Sequence, residues 1–232
     1  MRAGLTKLQR RLNELGQLLP IAGPGQFKSV NLSPIERDKL KAYVVLCYAE
    51  LEGFFEYLSH KLTGAVEECI PHFEMAAQQG KNVTRNVGRF GTAVFPKILR
   101  KSSTDVLLLV NGSRKKIIAE RASIDEALTR IPGVIRHHRS VISANNGLNS
   151  ADCEKLFDHI GFPTQAQHWQ LINNLNTLTA KRGKLAHSGD AVMSPGVSAY
   201  WIPDPKSEFD LINSIDKAIP LFVDDLCTFC DY

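Results

Sequence analysis

The 232-residue chain lacks several patterns that would assign it to a large class of proteins at once. No run of eighteen or more apolar residues occurs, which excludes a transmembrane helix. The five cysteines are an odd set without framework spacing, which favours a reducing compartment. Cys227 and Cys230 form a CxxC pair, but no second CxxC and no His-x-x-x-His completes a zinc site. We therefore interpret the two thiols as neighbours on a helix and expect no metal and no cofactor.

Signatures of nucleotide hydrolysis, nucleophilic catalysis and secretion are also missing. The segment GRFG at 88–91 lacks the Gly-Lys-Ser/Thr ending of a phosphate-binding loop, and no Ser/His/Asp signature occurs. Near the N-terminus, Arg10, Arg11 and Glu14 interrupt the leucines, so the unbroken apolar core of a signal peptide is absent. We expect an amphipathic first helix in a cytoplasmic protein.

Acidic residues are scarce in one segment of the chain, from Lys81 to Lys116, where Asp105 is the only one. The basic residues of this segment are Lys81, Arg85, Arg89, Lys97, Arg100, Lys101, Arg114, Lys115 and Lys116. A basic patch attracts phosphate backbones at long range, although many charge runs are only solvated faces. The segment is thus compatible with nucleic-acid binding without requiring it.

What the sequence does contain is helical periodicity. A capping box at Ser33–Glu36, with Pro34 at the first helical position, predicts the start of a long helix. Its apolar residues recur at spacings of three and four. They are Leu40, Tyr43, Val44, Cys47, Leu51, Phe54, Phe55, Leu58 and Leu62. We predict that this helix is the spine of a bundle and that Pro71 closes it.

The remaining signals predict further helices and few strands. Capping residues open helices at Ser123, Ser150, Thr164 and Ser207, and these are expected to run to Ser143, Gly161, Ser188 and Cys230. Pro132 either kinks its helix or marks the true start, and Pro220 interrupts the last helix. We predict an all-α fold in a single domain, 1–232, divided into 1–32 (first helix and linker), 33–70 (spine), 71–122 (basic insertion) and 123–232 (remaining core helices).

The segment AKRGKLAHSGD, residues 180–190, places Arg182 and His187 at the end of one predicted helix. Arginine grips phosphate with a planar fork of donors, and histidine carries protons near neutral pH. Positions five apart do not share one helix face, but Gly183 permits a break that lets them converge. The alternative is an ordinary last turn whose histidine favours the helix dipole. Arg130 and His137 match the same loose pattern, and we interpret that match as coincidental.

Three segments taken in order add weight to this motif. They are YAELEGFFEYL on the spine, NNGLNSADCEKLFDHIGF, and LINNLNTLTAKR leading into the motif. This set resembles the HEPN superfamily (higher eukaryotes and prokaryotes nucleotide-binding domains), most closely its prokaryotic defence-linked RiboL-PSP or MAE-like members. The matching positions are Ala49, Glu52, Gly147, Ser150, Arg182, Ala186, His187 and Gly189. The resemblance spans 35–70 and 123–230 and leaves the basic segment uncovered.

The resemblance implies a HEPN-type bundle that acts as a metal-independent endoribonuclease and dimerises through the Arg-x4-His face. Arg182 would steady the scissile phosphate, His187 would act as acid or base, and Glu52, or less surely Glu50, would orient one of them. RNA would be drawn to the cleft by basic residues. Those we expect to bind substrate are Lys184, Arg85, Arg89, Lys97, Arg100 and Lys101. The implied setting is antiviral defence or a toxin–antitoxin pair, with an antitoxin or defence partner and no membrane.

One position departs from the family pattern. The residue after the motif arginine is usually polar, most often asparagine, and here it is Gly183. This position favours an alternative, a catalytically silent HEPN module that binds nucleic acid or a partner protein. A third hypothesis, a nucleic-acid-binding helical protein outside the family, rests on the basic segment alone. Two aromatic pairs, at 168–169 and 200–201, could stack on bases or belong to the core or a dimer contact.

Overall fold

In the computed structural model of the chain, the described residues are 1–23, 26–28, 30–78, 124–157, 162, 164, 167–187 and 203–230. Within them lie six α-helices: α1 (Arg2–Leu15), α2 (Pro34–Gln78), α3 (Ile124–Ser143), α4 (Ser150–Phe157), α5 (Trp169–His187) and α6 (Pro205–Cys230). A 3-10 turn at Gly16–Leu18 follows α1. Two short antiparallel strands follow it, β1 (Ile21–Gly23) and β2 (Gln26–Phe27), with Ile21 opposite Phe27. The all-α prediction is confirmed.

The long helix α2 begins where the capping box predicts. The backbone N–H of Ser33 donates to the Glu36 carboxylate at 2.7 Å, and the N–H of Glu36 donates back to the Ser33 hydroxyl at 3.3 Å. Lys28 also binds Glu36 at 2.9 Å, and these contacts lower the pKa of the Glu36 carboxyl to about 2. All nine residues of the predicted apolar stripe are buried, each no more than 6% exposed. Burial of this stripe is what makes so long a helix stable.

Prolines do not end the helices in the way we expected. Pro71 does not close α2, which continues to Gln78, and Pro220 lies within an uninterrupted α6. Pro132 lies inside α3, which starts at Ile124. A proline removes one N–H donor and leaves the carbonyl four residues earlier unbonded. Pro71 and Pro132 are exposed, and the helices continue through both of them.

Two predicted helix starts are also wrong. Helix α5 begins at Trp169 and not at Thr164, because its buried apolar stripe starts only at Leu171. Helix α6 begins at Pro205, and its cap is Asp204 instead of Ser207. The Asp204 carboxylate accepts the N–H of Ser207 at 2.8 Å. Asp before Pro is a strong start signal because the side chain satisfies a free N–H and the proline needs none.

The chain divides into two compact units, and the prediction of a single domain stays a prediction. Unit 1 contains 1–55, 146–151 and 168–223, and unit 2 contains 56–145, 152–167 and 224–232. In the core of unit 1 the Phe55 and Phe222 rings are 5.4 Å apart. In the core of unit 2 the Ser59 hydroxyl donates to the Leu156 carbonyl at 2.7 Å and lies 3.1 Å from the His138 ring.

The predicted basic insertion, 71–122, lies almost wholly outside the described residues; its first eight residues complete α2. Across the parts of the chain described above, none of the helices is both long enough and apolar enough to cross a bilayer.

Candidate functional site

Arg182 lies on α5 in unit 1, and its guanidinium is placed over an aromatic ring of α2. The guanidinium carbon is 5.5 Å from the centroid of the Tyr48 ring. Arg182 is exposed, whereas Tyr48 is only 3% exposed. A cation over the face of a tyrosine is attracted by the ring quadrupole. The buried ring therefore forms a fixed base under an arginine that faces solvent.

The charges of Arg182 and Glu52 both affect the pKa of the Tyr48 phenol. Burial is the main cause that raises the pKa of the Tyr48 hydroxyl, and the charge of Glu52 adds to it. The Thr179 side chain, the charge of Arg182 and the Leu148 backbone lower that pKa. Tyr48 and Glu52 are four residues apart and thus share one face of α2. Glu52 is half-buried, with one carboxylate oxygen shielded from solvent. The predicted residues Arg182 and Glu52 are thus both within electrostatic reach of one ring.

A buried ion pair fixes α5 beside the arginine. The Lys181 ammonium donates to the Glu208 carboxylate at 2.7 Å, and the side chains are only 19% and 2% exposed. Burial raises the pKa of Glu208, and the hydrogen bond and positive charge of Lys181 oppose that rise. This contact joins α5 to the first turn of α6. It sets the rotation of α5 at the residue next to Arg182.

The start of α4 is tied to α5 as well. The backbone N–H of Ser150 donates to the Asn176 side-chain oxygen at 2.7 Å. Gly147 is buried in the turn that precedes Ser150. An N–H at the start of a helix has no partner within that helix, so a side-chain acceptor stabilises the junction. The turn that contains Gly147 and the short helix that begins at Ser150 are therefore anchored to α5 about two turns before Arg182.

Helix α5 is continuous from Trp169 through Gly183 to His187. The break that would let Arg182 and His187 of one chain converge is absent from this described helix. Five residues of α-helix place the two Cβ directions about 140° apart around the axis. The side chains of Ala186 and His187 lie outside the described residues, as do those of Ser188 and Gly189. A Cβ added at Gly183 would meet no atom within 4 Å, so a side chain fits there.

Of the other predicted site residues, some are described by the structure and some lie outside the described residues. Lys184 is exposed on α5. Arg85, Arg89, Lys97, Arg100 and Lys101 lie outside the described residues. Glu50 does not reach Arg182 but binds Arg11 of α1 at 3.0 Å, because it lies on another face of α2 from Glu52.

The described aromatic and cysteine residues that the sequence singled out lie in different surroundings. His168 is buried with its ring 4.9 Å from Phe222, which makes it a core residue, while Trp169 beside it is 63% exposed. The pair at 200–201 lies outside the described residues. Burial raises the pKa of the Cys47 thiol to about 12, so a thiolate is not available there. Within the described part of the chain, no three His, Cys, Asp or Glu side chains are grouped to hold a metal.

Sequence reasoning missed Tyr48, Thr179 and the Lys181–Glu208 pair. Tyr48 directly precedes the Ala-x-x-Glu element and is one turn before Glu52, a spacing that could have drawn attention to it. Nothing in the sequence indicates that Lys181 and Glu208 meet, since both stand among other charged residues.

A family model decides the identity of this bundle. The model of RiboL-PSP-HEPN matches residues 6–228, which is nearly the whole chain. The chain belongs to the RiboL-PSP-HEPN family. No curated protein and no solved structure is significantly similar to it. Membership of this HEPN family supports an RNA-related function at the level of the superfamily.

Proposed function

We propose that this HEPN protein is a metal-independent endoribonuclease that acts in the cytoplasm, in antiviral defence or as the toxin of a toxin–antitoxin pair. The observation that carries the proposal is the exposed Arg182 guanidinium, held over Tyr48 near Glu52, on the helix that ends at His187. An exposed, oriented guanidinium suits the binding of a phosphodiester, because its planar fork of N–H donors can bind both charged oxygens of the phosphate. A histidine one turn further along the same helix supplies proton transfer near neutral pH.

The reaction that these groups support is transesterification at the ribose. His187 removes the proton of the 2′-hydroxyl or protonates the leaving 5′-oxygen. The 2′-oxygen attacks the phosphorus and the bond to the 5′-oxygen breaks, which leaves a 2′,3′-cyclic phosphate and a 5′-hydroxyl. Arg182 stabilises the negative charge that builds up on the phosphate oxygens. Glu52 orients Arg182 or His187, and no metal ion is needed for any step.

A second copy of the chain completes the site in this proposal. Because α5 is continuous, positions 182 and 187 lie about 140° apart around its axis, an arrangement that does not favour a shared phosphate within one chain. A two-fold axis brings Arg182 of one subunit towards His187 of the other in a self-complementary contact. The homodimer would thus form through the Arg-x4-His face.

Basic residues outside this pair would bring the RNA to it. Lys184 is exposed one turn before His187 and can bind a phosphate next to the scissile one. The five basic residues between Arg85 and Lys101 would extend the same attraction along the strand. An antitoxin or a defence partner would regulate the site by covering it.

The direct test of the proposed reaction is RNA cleavage in the presence of a chelator. We expect purified protein to cleave total RNA equally well with EDTA and with Mg²⁺, because no metal takes part. The new 3′ ends should resist extension by poly(A) polymerase until an enzyme removes a cyclic phosphate. Absence of cleavage, loss of cleavage in EDTA, or plain 3′-hydroxyl ends would each contradict the proposal.

The second candidate, a silent HEPN module that binds RNA or a partner protein, is favoured by Gly183. This glycine cannot supply the polar contact that usually follows the motif arginine, and the space beside its Cα is empty of described atoms within 4 Å. If the wild-type protein binds RNA without cleaving it, and the host tolerates wild type and His187→Ala equally well, the binding module is the better assignment.

Restoring the polar residue separates the two candidates further. We expect Gly183→Asn to raise the rate of RNA cleavage several-fold, because the amide can hydrogen-bond to substrate or to a site residue. Gly183→Ala is the matched control: it improves helix propensity at least as much but adds no polar group. Equal cleavage rates for the two variants would show that the amide has no role.

A further inference from the structure

Tyr48 is the residue whose placement the proposed reaction leaves unexplained. It is nearly fully buried at 3% exposure, yet the flat side of its ring lies under the exposed Arg182 guanidinium. The Thr179 side chain of α5 and the Leu148 backbone, both in unit 1, lower the pKa of its hydroxyl, so parts of the chain outside α2 lie close to the phenol. Because the ring is buried and Arg182 is exposed, the ring determines the orientation of the guanidinium in this contact.

The kind of contact matters for what Arg182 can still bind. The five N–H donors of a guanidinium lie in its plane, and a carboxylate partner uses two of them and cancels the charge. An aromatic ring under the guanidinium attracts the positive charge through the face and uses no N–H donor. The contact between Arg182 and the Tyr48 ring is of this second kind. It therefore uses none of the N–H donors and does not neutralise the charge.

We infer that Tyr48 is a positioning residue of the HEPN site, which orients Arg182 through the face of its ring so that all the N–H donors remain available for the scissile phosphate. This inference rests on the proposed function, since it assigns Arg182 to the phosphate. Tyr48 itself does not touch the substrate; it acts through Arg182. The feature that does the positioning is the ring, which its burial keeps in place.

The chain contains a matched control on the same helix. Lys61 lies over the Tyr57 ring with its ammonium 5.8 Å from the centroid, and both residues belong to unit 2. Tyr57→Leu removes a ring from a cation–π contact just as Tyr48→Leu does. Any general effect of losing such a ring from α2 should therefore be visible in both variants.

The first measurement is cleavage of an RNA oligonucleotide. We expect Tyr48→Phe to keep kcat/KM within about twofold of wild type, and Tyr48→Leu to lower it about fivefold, the upper size of a cation–π contact with an exposed cation. Tyr57→Leu should leave it unchanged. With a non-cleavable 2′-O-methyl RNA, Tyr48→Leu should raise Kd in the wild-type background and not in Arg182→Ala. Equal rises of Kd in both backgrounds would overturn the inference, because a merely structural role does not depend on Arg182.

The second measurement does not need activity and so separates this inference from the proposed function. The Nε–H NMR signal of Arg182, assigned by its loss in Arg182→Ala, should be shifted upfield by the ring current of Tyr48. We expect the shift to persist in Tyr48→Phe and to disappear in Tyr48→Leu. If the shift behaves so but wild type cleaves no RNA, the ring orients Arg182 and the ribonuclease proposal fails. If wild type cleaves RNA and Tyr48→Leu cleaves it equally well, the positioning role fails alone.

Discussion

A mixture of Arg182→Ala and His187→Ala subunits is expected to cleave RNA although neither variant does so by itself. Each single substitution should lower kcat/KM by about 10²–10⁴-fold, the range found when a charge-stabilising donor or a general acid–base group is removed. In a mixed dimer, the His187→Ala subunit still carries Arg182 and the other subunit still carries His187. One complete pair therefore remains across the two-fold axis.

The size of the recovery follows from the arrangement of the subunits. Purification through two different affinity tags selects only mixed dimers, and each of these keeps one of the two possible pairs, so roughly half of wild-type activity should return. The measurement is cleavage by co-expressed subunits with two different affinity tags, purified through both. Co-expression of two tagged Arg182→Ala chains is the control and should give no recovery. If mixed dimers form and remain inactive, both groups must act from the same chain, and the continuous α5 helix would have to break on binding RNA.

The features of this fold that could be predicted from sequence are those set by local spacing. The apolar stripe of α2 repeats every three or four residues, so the buried face of the helix could be named residue by residue. The capping box at Ser33 and Glu36 depends on contacts three residues apart and forms as expected. The predicted helix end at Pro71 and the predicted helix starts at Thr164 and Ser207 were wrong. Each of these boundaries depends on which side chains the rest of the fold buries, and local spacing does not contain that information.

The candidate site could be predicted only in part, for the same reason. The motif and its resemblance to the HEPN family indicate Arg182, His187 and Glu52 by residue type and order. The ring under Arg182 belongs to Tyr48, which is far away in sequence and is buried like an ordinary core residue. Glu50 and Glu52 are two residues apart, and only the rotation of α2 decides that Glu50 binds Arg11 while Glu52 lies near Tyr48.

Replacing Lys181 with methionine should destabilise the protein strongly, because it leaves the Glu208 carboxylate buried without its partner. Glu208 is 2% exposed on its side chain, and its second oxygen has no hydrogen-bond partner among the described residues. Removing one member of a buried ion pair costs about 3–5 kcal/mol of unfolding free energy. At this chain length that lowers Tm by roughly 10 °C. Chemical denaturation of wild type and Lys181→Met at pH 7 measures the difference.

Two further variants test whether the buried, unpaired charge of Glu208 causes the loss of stability. The double variant Lys181→Met/Glu208→Leu should recover most of the lost stability, since a well-packed apolar pair replaces the ion pair without leaving a charge. Lys206→Met removes a lysine from the exposed pair with Asp210 and should leave the unfolding free energy almost unchanged, because water solvates both charges there. A loss for Lys206→Met as large as for Lys181→Met would show that burial of the pair is not the cause.

The stability difference between wild type and Lys181→Met should also depend on pH. Burial raises the pKa of Glu208 in the folded protein, and removing Lys181 takes away the group that lowers it. A carboxyl whose pKa is higher in the folded state than in the unfolded state favours folding when it is protonated. The loss of stability caused by the buried Glu208 charge is therefore absent below the unfolded pKa of about 4.3. It appears as the pH rises through the pKa that Glu208 has in the folded protein. The stability difference between wild type and Lys181→Met should shrink on acidification from pH 7. A difference that stays constant or grows would mean that Glu208 does not carry the buried charge.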